Sequence, residues 1–234
     1  MIKKAMILAA GFGKRMHPLT LDCPKPLLKI HEETLLSNTI KFLQKIGVKK
    51  IVINVHYLAD QIIKYIGKKK FNIEIIIEEE KDSILDTGGG ILNVLNHFLN
   101  EPFITINPDT LWNSDYLKEF QLMEKVFFSN KDNSCCMLLV SKEKSFDKSL
   151  KGDFNLEKNL INRNKKDLKY IYTGLQIIRP EVFLNSEKKI FSINKIWNML
   201  IENNKLCGIK SNINFLHVNN ISVYKDLIDK DFKH

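Results

Sequence analysis

Hydrophobic positions in the first 140 residues follow two alternating patterns. Short runs of consecutive apolar residues are typical of strands buried on both faces, and apolar residues three or four apart are typical of amphipathic helices. The runs predict five strands, at residues 5–9, 51–55, 73–77, 103–106 and 135–140. Four helical stripes lie between them: Leu36, Ile40 and Leu43; Leu58, Ile62 and Ile66; Ile91, Leu95 and Phe98; Tyr116, Phe120, Met123 and Phe127.

This alternation predicts an α/β fold of three layers, with a mostly parallel central sheet and helices on both faces. Ligands of such sheets bind outside the carboxyl ends of the strands. The loops after the first strand and after the fourth strand are therefore the places to search for a site.

The second half of the chain has a less regular pattern. Residues 151–164 are polar and predict a hairpin and turn, and residues 170–178 predict a strand. Two short strands, at 207–210 and 215–218, follow a helix over residues 193–201, and a last helix closes the chain. No linker, repeat or low-complexity segment interrupts residues 1–234, so we expect a single domain.

The net charge first suggests a nucleic-acid partner. Thirty-six Lys and Arg residues against 27 Asp and Glu give a formal charge of +9. Almost all the basic residues are Lys, however, and only Arg15, Arg163 and Arg179 are Arg. Asn and Ile are also abundant, a bias typical of an AT-rich genome. The charge therefore predicts a lysine-rich surface, and we expect no nucleic-acid partner.

The sequence has no pattern typical of a signal peptide, a membrane span or a cysteine metal site. The apolar run at residues 5–10 is too short for a signal peptide, and no run approaches the ~20 residues of a membrane span. We therefore expect a cytoplasmic protein with no membrane partner. Four cysteines lack metal-binding spacing and are predicted to be reduced core residues: Cys23, Cys135, Cys136 and Cys207.

The loop after the first strand carries the pattern of a phosphate site. Residues 8–16 read LAAGFGKRM, and residues 24–27 read PKPL. Glycines let backbone N–H groups approach an anion, while Arg15 and Lys25 add cations suited to phosphate oxygens. Met16 excludes the dinucleotide fingerprint, which has Gly or Ala there, and no Ser or Thr follows Lys14 as a Walker loop requires.

Two further loops carry candidate chemistry. Asp109 follows the fourth strand, in Asn107-Pro108-Asp109-Thr110, where a carboxylate is placed to hold a hard divalent cation shared with substrate phosphates. Residues 86–90 read DTGGG where the third helix begins. We expect free N–H groups at that helix start, which favour anions or the polar edge of a base.

These motifs resemble the signature of the nucleotidyltransferases that make nucleotide-sugars from a nucleoside triphosphate and a sugar 1-phosphate. The resemblance implies a Rossmann-like nucleotidyltransferase fold, with residues 1–141 binding the nucleotide and residues 142–234 the sugar phosphate. It implies three catalytic residues. Arg15 would hold the β- and γ-phosphates, Lys25 the α-phosphate or the sugar phosphate, and Asp109 a Mg²⁺ ion.

The same resemblance implies the remaining site residues. The nucleotide-binding set is Leu8, Ala9, Ala10, Gly11, Gly13, Arg15, Thr87 and Gly88, and the substrate-binding set is Lys25, Asn107, Asp153 and Gly174. The family usually has a second metal-binding Asp near the C-terminus, where this chain has His217-Val218-Asn219-Asn220. His217 is a poorer partner for magnesium than an oxygen ligand, and Asn220 would offer a neutral oxygen. The second metal contact is therefore left open between His217, Asn220 and neither.

Finer resemblance concerns the substrate. The segments at residues 55–60, 85–90, 151–156, 173–174 and 179–183 resemble the branch that uridylylates N-acetylmuramate 1-phosphate in peptidoglycan recycling. The implied reaction is in-line attack of the sugar phosphate on the α-phosphorus of UTP, catalysed by a monomer or homodimer. Two alternatives within the class are a mannose 1-phosphate guanylyltransferase and a phosphocholine cytidylyltransferase. Outside it stands a non-catalytic nucleotide-binding homologue.

Overall fold

In a computed structural model, residues 1–164, 166–184, 186 and 189–230 are described, and these form strands and helices in the predicted alternation. The strands are β1 Lys4–Leu8, β2 Lys29–Ile30, β3 Glu33–Thr34, β4 Lys50–Val55, β5 Glu74–Glu79, β6 Phe103–Ile106, β7 Cys135–Ser141, β8 Asn155–Glu157, β9 Leu160–Asn162, β10 Tyr170–Ile178 and β11 Leu206–Ser211. The helices are α1 Leu35–Lys45, α2 Ala59–Lys68, α3 Asp86–Asn93, α4 Tyr116–Ser129, α5 Asn194–Glu202 and α6 Ile221–Ile228.

Among the described residues, nine strands form one sheet, in the order β5-β4-β1-β6-β10-β7-β11-β9-β8, and β2 pairs with β3 in a separate two-stranded sheet. Strand β1 lies parallel to both β4 and β6, while β10 runs antiparallel between β6 and β7. Of the strands in the described ranges, β9 and β10 alone run against the common direction of the sheet, so the prediction of a mostly parallel sheet is confirmed. Because β10 pairs with β6, one sheet receives strands from both predicted halves of the chain.

Helices cover both faces of this sheet, which confirms the three-layer prediction. Successive side chains of a strand point to opposite faces, and β1 accordingly sends Ala5 and Ile7 into one apolar cluster and Met6 into the other. Helices α1, α2 and α4 pack in the first cluster, and α3 and α5 pack in the second. Within the described ranges, no helix combines the length and hydrophobicity needed to cross a bilayer.

A third, smaller apolar cluster brings the end of the chain to the carboxyl edge of the sheet. Met16, in the loop after β1, packs there with Leu35 at the start of α1 and with Val223 and Leu227 of α6. Val218, which precedes α6, is fully buried in the same cluster. The segment around residue 217 is thereby held beside the loop that follows β1.

The structure corrects two predictions. Residues 215–218 do not form a strand: Phe215 bridges to Ser145, and His217 bridges to Thr110, so two different partners prevent a continuous ladder. Cys23 is only half-buried, because it lies in a turn after the loop of β1 and outside any apolar run. The other three cysteines are buried, and all four are free. The hairpin predicted within residues 151–164 is confirmed as β8 and β9.

The three consecutive glycines lie inside α3, and packing explains two of them. A Cβ added at Gly88 would lie 2.4 Å from the ring of Phe191, and one at Gly89 would lie 2.1 Å from the carbonyl oxygen of Lys189. Both distances are below any van der Waals contact. Helix α3 therefore reaches its position only because residues 88 and 89 carry no side chains.

We predict that Gly89→Ala lowers the free energy of unfolding by about 2 kcal/mol or more, since the new methyl group overlaps backbone that cannot rotate away. Gly67→Ala in α2 is the matched control, because a Cβ there meets nothing within 4 Å. It should be neutral or stabilising by up to ~1 kcal/mol. Urea unfolding of both variants measures the difference, and equal effects would contradict this account of α3.

Candidate active site

A cavity of about 430 Å³ opens at the carboxyl edge of the sheet, between the loops after β1 and β6. Its wall is assembled from segments far apart in sequence, including the ends of β1, β4, β5 and β6. Ten of the predicted site residues line it: Leu8, Ala9, Ala10, Gly11, Gly13, Arg15, Lys25, Thr87, Asn107 and Asp109. Five of the predicted residues do not: Gly88, Asp153, Gly174, His217 and Asn220.

The loop after β1 is folded so that two cations reach the cavity wall. Gly13 has a left-handed backbone (φ 64°), and its carbonyl oxygen accepts hydrogen bonds from the Met16 amide and the Thr20 hydroxyl, at 2.8 and 2.9 Å. This turn fixes Lys14 and Arg15, both exposed and both lining the cavity. Among the described residues, neither forms a salt bridge. Cations without a carboxylate partner at a cavity are suited to an anionic ligand.

The third cation of the cavity is paired. Lys25 places its Nζ 2.5 Å from Oδ2 of Asp109, and the two side chains are 14% and 16% exposed. Lys25 lies in a short turn closed by the hydrogen bond from Leu27 N to Pro24 O, at 2.8 Å. Asp109 comes directly after the Asn107-Pro108 step that ends β6. The pair therefore ties the loop after β1 to the loop after β6.

His217 completes the surroundings of Asp109. Its Nε2 lies 3.1 Å from Oδ2 of Asp109, and its ring stacks on Phe215 with centroids 5.3 Å apart. Burial raises the pKa of Asp109, but the charges of Lys25 and His217 outweigh it and hold that pKa well below its usual range. Asp109 is therefore an anion at neutral pH.

Asp109 fits a cation that is shared with the substrate. Its Oδ1 is buried and has no hydrogen-bond partner in the described part of the chain, and the same holds for Nδ1 of His217. Magnesium is commonly held by one or two carboxylates together with substrate phosphates and water. Across the described residues, no group of three or more His, Cys, Asp and Glu side chains could hold a metal alone. One carboxylate at a phosphate-suited cavity matches that shared mode of binding.

The positions of His217 and Asn220 distinguish these two candidates for the second metal contact. His217 lies against Asp109, whereas Asn220 caps α6, with its Oδ1 accepting the Val223 N–H at 2.9 Å. The side-chain oxygen of Asn220 is thus engaged in the cap. Of the two candidates, only His217 shares a contact with the carboxylate.

Gly174 and Asp153, two residues predicted to bind the sugar phosphate, do not line the cavity. Gly174 (φ 90°) accepts the Asn107 N–H at 2.9 Å, and a Cβ there would lie 2.9 Å from the Asn107 side chain. Gly174 therefore supports Asn107 from behind. Asp153 accepts the Tyr172 N–H at 2.9 Å, and burial raises its pKa although that bond and Arg163 act in the opposite direction.

The expectation of free N–H groups at the start of α3 is wrong for its glycines. Gly88 and Gly89 both donate their N–H groups to the Phe191 carbonyl oxygen, at 2.9 and 3.0 Å. The loop after residue 189 thus occupies the position that a ligand anion would have taken. Thr87 does line the cavity, and its Oγ1 accepts the Ile193 N–H at 2.9 Å.

Sequence reasoning missed a polar chain in the cavity wall. Asn54 accepts the Ala9 N–H at its Oδ1 (3.0 Å) and donates from Nδ2 to Oε1 of Glu80 (2.7 Å). Glu80 Oε2 in turn accepts the Leu85 N–H at 2.8 Å. The available signal was a polar side chain at the carboxyl end of a buried apolar run, as Asn54 is. Lys14 and Asn219 also line the cavity and were missed.

Comparisons with known proteins identify the family to which this site corresponds. Residues 4–146 match the model of the nucleotidyl transferase family. An N-acetylmuramate alpha-1-phosphate uridylyltransferase of Caulobacter vibrioides is 28% identical over 222 residues, which cover 92% of this chain and 91% of that protein. A mannose-1-phosphate guanylyltransferase catalytic subunit beta of Drosophila melanogaster is 27% identical over 82% of this chain and 52% of its own length.

A solved structure confirms the fold. The crystal structure of HddC from Yersinia pseudotuberculosis, complexed with GMP-PN, superposes with a TM-score of 0.75 over 97% of this chain and 99% of that one. The two sequences are 22% identical, a level at which the likeness shows the fold alone. The expected Rossmann-like nucleotidyltransferase fold is therefore confirmed.

We predict that Lys25→Met lowers the free energy of unfolding at pH 7 by about 2–4 kcal/mol, because it leaves a buried carboxylate with one partner fewer. Adding Asp109→Asn should restore most of that loss, since the uncompensated charge is then gone. Urea unfolding of the two single variants and the double variant gives the coupling energy.

Lys64→Met, at an exposed position of α2, is the control for this cycle and should change stability by less than ~0.5 kcal/mol. Strictly additive effects of the Lys25 and Asp109 substitutions would show that the two side chains do not depend on each other.

Proposed function

The chain belongs to the nucleotidyl transferase family, and we propose that it joins UTP to N-acetylmuramate 1-phosphate, forming the nucleotide-sugar and pyrophosphate. The observation that carries the reaction type is the convergence of Arg15 and Lys25, from the loop after β1, and Asp109, from the loop after β6, on one cavity. The choice of substrates is supported by the similarity to the Caulobacter uridylyltransferase over nearly the full length of both proteins. On this proposal the product returns to cell-wall synthesis in peptidoglycan recycling.

The proposed step is an in-line displacement at the α-phosphorus. An oxygen of the sugar 1-phosphate forms the new P–O bond while the bond to the β-phosphate oxygen breaks, and pyrophosphate leaves with that electron pair. No covalent enzyme intermediate is required, so the protein contributes positioning and charge neutralisation. A Mg²⁺ ion held by Asp109 and the phosphates would neutralise part of the charge on the triphosphate.

Arg15 and Lys25 have separate roles in the proposed reaction. Arg15, without an ion-pair partner among the described residues, steadies the departing pyrophosphate with its forked donors. Lys25 lies against Asp109 and offsets the repulsion between the two phosphate groups that must meet. A unit-charge pair about 4 Å apart at an effective dielectric constant of ~20 contributes of order 4 kcal/mol. That scale is large enough for either cation to matter for the rate.

The proposal also assigns the residues that bind the sugar phosphate and the residue beside Asp109 at the metal. We assign Asn107, with Gly174 behind it, and Asp153 to the sugar phosphate side, and His217 to a nitrogen contact beside Asp109. Mannose 1-phosphate with GTP is the second candidate, favoured by the similarity to the Drosophila guanylyltransferase. The single domain, the cytoplasmic location and the monomeric or homodimeric state stay predictions.

We predict that Arg15→Ala lowers kcat/KM about 10²–10³-fold, the scale seen when one donor to transition-state charge is removed. Asp109→Asn should lower it at least as much at saturating magnesium. Arg179→Ala is the control, because Arg179 donates to the Asn133 carbonyl oxygen outside the cavity and should leave turnover unchanged. Near-wild-type turnover of Asp109→Asn would remove Asp109 from the reaction.

The substrates are tested by a screen of nucleotides against acceptors. UTP, GTP, CTP and dTTP are each combined with N-acetylmuramate 1-phosphate, mannose 1-phosphate and phosphocholine, and pyrophosphate release is measured. We expect the highest rate with UTP and N-acetylmuramate 1-phosphate. A preference for GTP with mannose 1-phosphate would favour the second candidate. Nucleotide binding without release in any combination would identify a non-catalytic homologue.

A further inference from the structure

Arg163, directly after β9, is a half-buried cation whose hydrogen bonds all go to neutral acceptors. Its Nε donates to the Asp153 carbonyl oxygen at 3.3 Å. Its Nη1 and Nη2 donate to Oδ1 of Asn198 and of Asn194, each at 2.7 Å. Within the described part of the chain, Arg163 forms no salt bridge. Its charge is therefore available to an anionic ligand.

The guanidinium of Arg163 is held in one orientation. Its central carbon lies 4.3 Å from the centroid of the Phe154 ring, which is fully buried. Asn194 and Asn198 are one turn apart on α5, so their oxygens meet the two Nη atoms together. A guanidinium has five N–H donors, and among the described residues one on each Nη atom has no acceptor. Because the side chain is already ordered, a ligand that used these donors would cause little further loss of entropy.

Hydrogen bonds connect Arg163 to the side of the site that we assign to the sugar phosphate. The Asp153 residue that it contacts accepts the Tyr172 N–H of β10 at its Oδ2, at 2.9 Å. Two residues further along β10, the Gly174 carbonyl oxygen accepts the N–H of Asn107, which lines the cavity. Arg163 is thus placed beyond Asp153, as seen from the cavity, along this chain of contacts.

The charge of Asp153 makes this side of the site unfavourable for a second carboxylate. Burial raises the pKa of Asp153, and the Tyr172 N–H and the charges of Arg163 and His217 act in the opposite direction. His217 contacts Asp109, whereas Arg163 has no carboxylate within salt-bridge distance among the described residues. Like charges that face each other are costly, so an acidic sugar requires a cation here. Of the two cations, Arg163 is the one that such a sugar can use.

The proposed acceptor carries such an acidic group. N-acetylmuramate 1-phosphate differs from N-acetylglucosamine 1-phosphate by one lactyl ether, which ends in a carboxylate. The pyranose ring separates that carboxylate from the phosphate, so its recognition needs a cation besides those that hold the phosphates. Arginine suits the task, because its planar guanidinium matches the geometry of a carboxylate.

We infer that Arg163 binds a carboxylate of the acceptor and thereby selects acidic sugar 1-phosphates over neutral ones. The inference rests on the proposed function and names the group by which its acceptor is recognised. A purely structural Arg163 gives a different result. If its bonds only joined Asp153 to α5, their loss would slow the reaction of every acceptor by the same factor. Loss of a carboxylate contact slows the acidic acceptor alone, so the ratio of kcat/KM for the two acceptors separates these roles.

The experiment measures pyrophosphate release by the full chain from UTP, with N-acetylmuramate 1-phosphate or N-acetylglucosamine 1-phosphate as the acceptor. For the wild-type protein, kcat/KM should be at least about 10-fold higher with the acidic acceptor, the scale of one hydrogen bond to a charged group. Arg163→Gln should bring that ratio to within ~3-fold of unity, by lowering kcat/KM for the acidic acceptor alone. Arg163→Lys keeps the charge without the fork, and its ratio should lie between the other two.

Arg179→Gln is the matched control. Arg179 also stacks on a phenylalanine ring and donates to a carbonyl oxygen, but it follows antiparallel β10 at the amino edge of the sheet. It should keep the wild-type ratio. An unchanged ratio in Arg163→Gln, with both values of kcat/KM reduced together, would overturn the inference.

The wild-type protein alone also decides the matter, whether or not any variant folds. Use of both acceptors within ~3-fold of each other would overturn the inference, while the proposed nucleotidyl transfer would stand. Turnover of neither acceptor would refute the proposed function, and the inference would fail with it.

Discussion

The ion pair between Lys25 and Asp109 is the interaction on which the arrangement of the site depends. It joins the loop after β1 to the loop after β6, and His217 adds a contact from the C-terminal segment. Burying a carboxylate is costly unless its charge is compensated. The contacts of Asp109 with Lys25 and His217 therefore hold the three segments together. Oδ1 of Asp109 has no hydrogen-bond partner among the described residues, so it is available to a further cation.

Hydrogen bonds of Asn54 and Glu80 hold further segments of the cavity wall together without an ion pair. Asn54 connects the Ala9 backbone to Glu80, and Glu80 connects β5 to the start of α3. The loop after β1 is thereby fixed from both sides. Side chains fixed in this way orient a ligand before any chemistry occurs, and such orientation is a principal contribution that proteins make to phosphoryl transfer.

Local patterns were sufficient to predict the parallel strands and the two loops that carry the site, because buried runs such as 5–9 and 103–106 are readable without long-range information. Contacts between distant segments were not readable. The Phe191 carbonyl oxygen that occupies the Gly88 N–H, the two bridges that replace a strand at 215–218, and the Asn54–Glu80 pair all depend on tertiary packing. The resemblance located Arg15, Lys25 and Asp109, but it could not show that His217 rather than Asn220 faces Asp109.

The central claim is that this cavity transfers a nucleotidyl group from a triphosphate to a sugar phosphate. Phosphorus NMR of the protein with UTP, N-acetylmuramate 1-phosphate and magnesium tests it directly, because every phosphorus atom is followed at once. The account predicts that the signals of both substrates give way to a diphosphate-linked sugar nucleotide and pyrophosphate in equal amounts. Release of inorganic phosphate, or unchanged substrate signals, would contradict it.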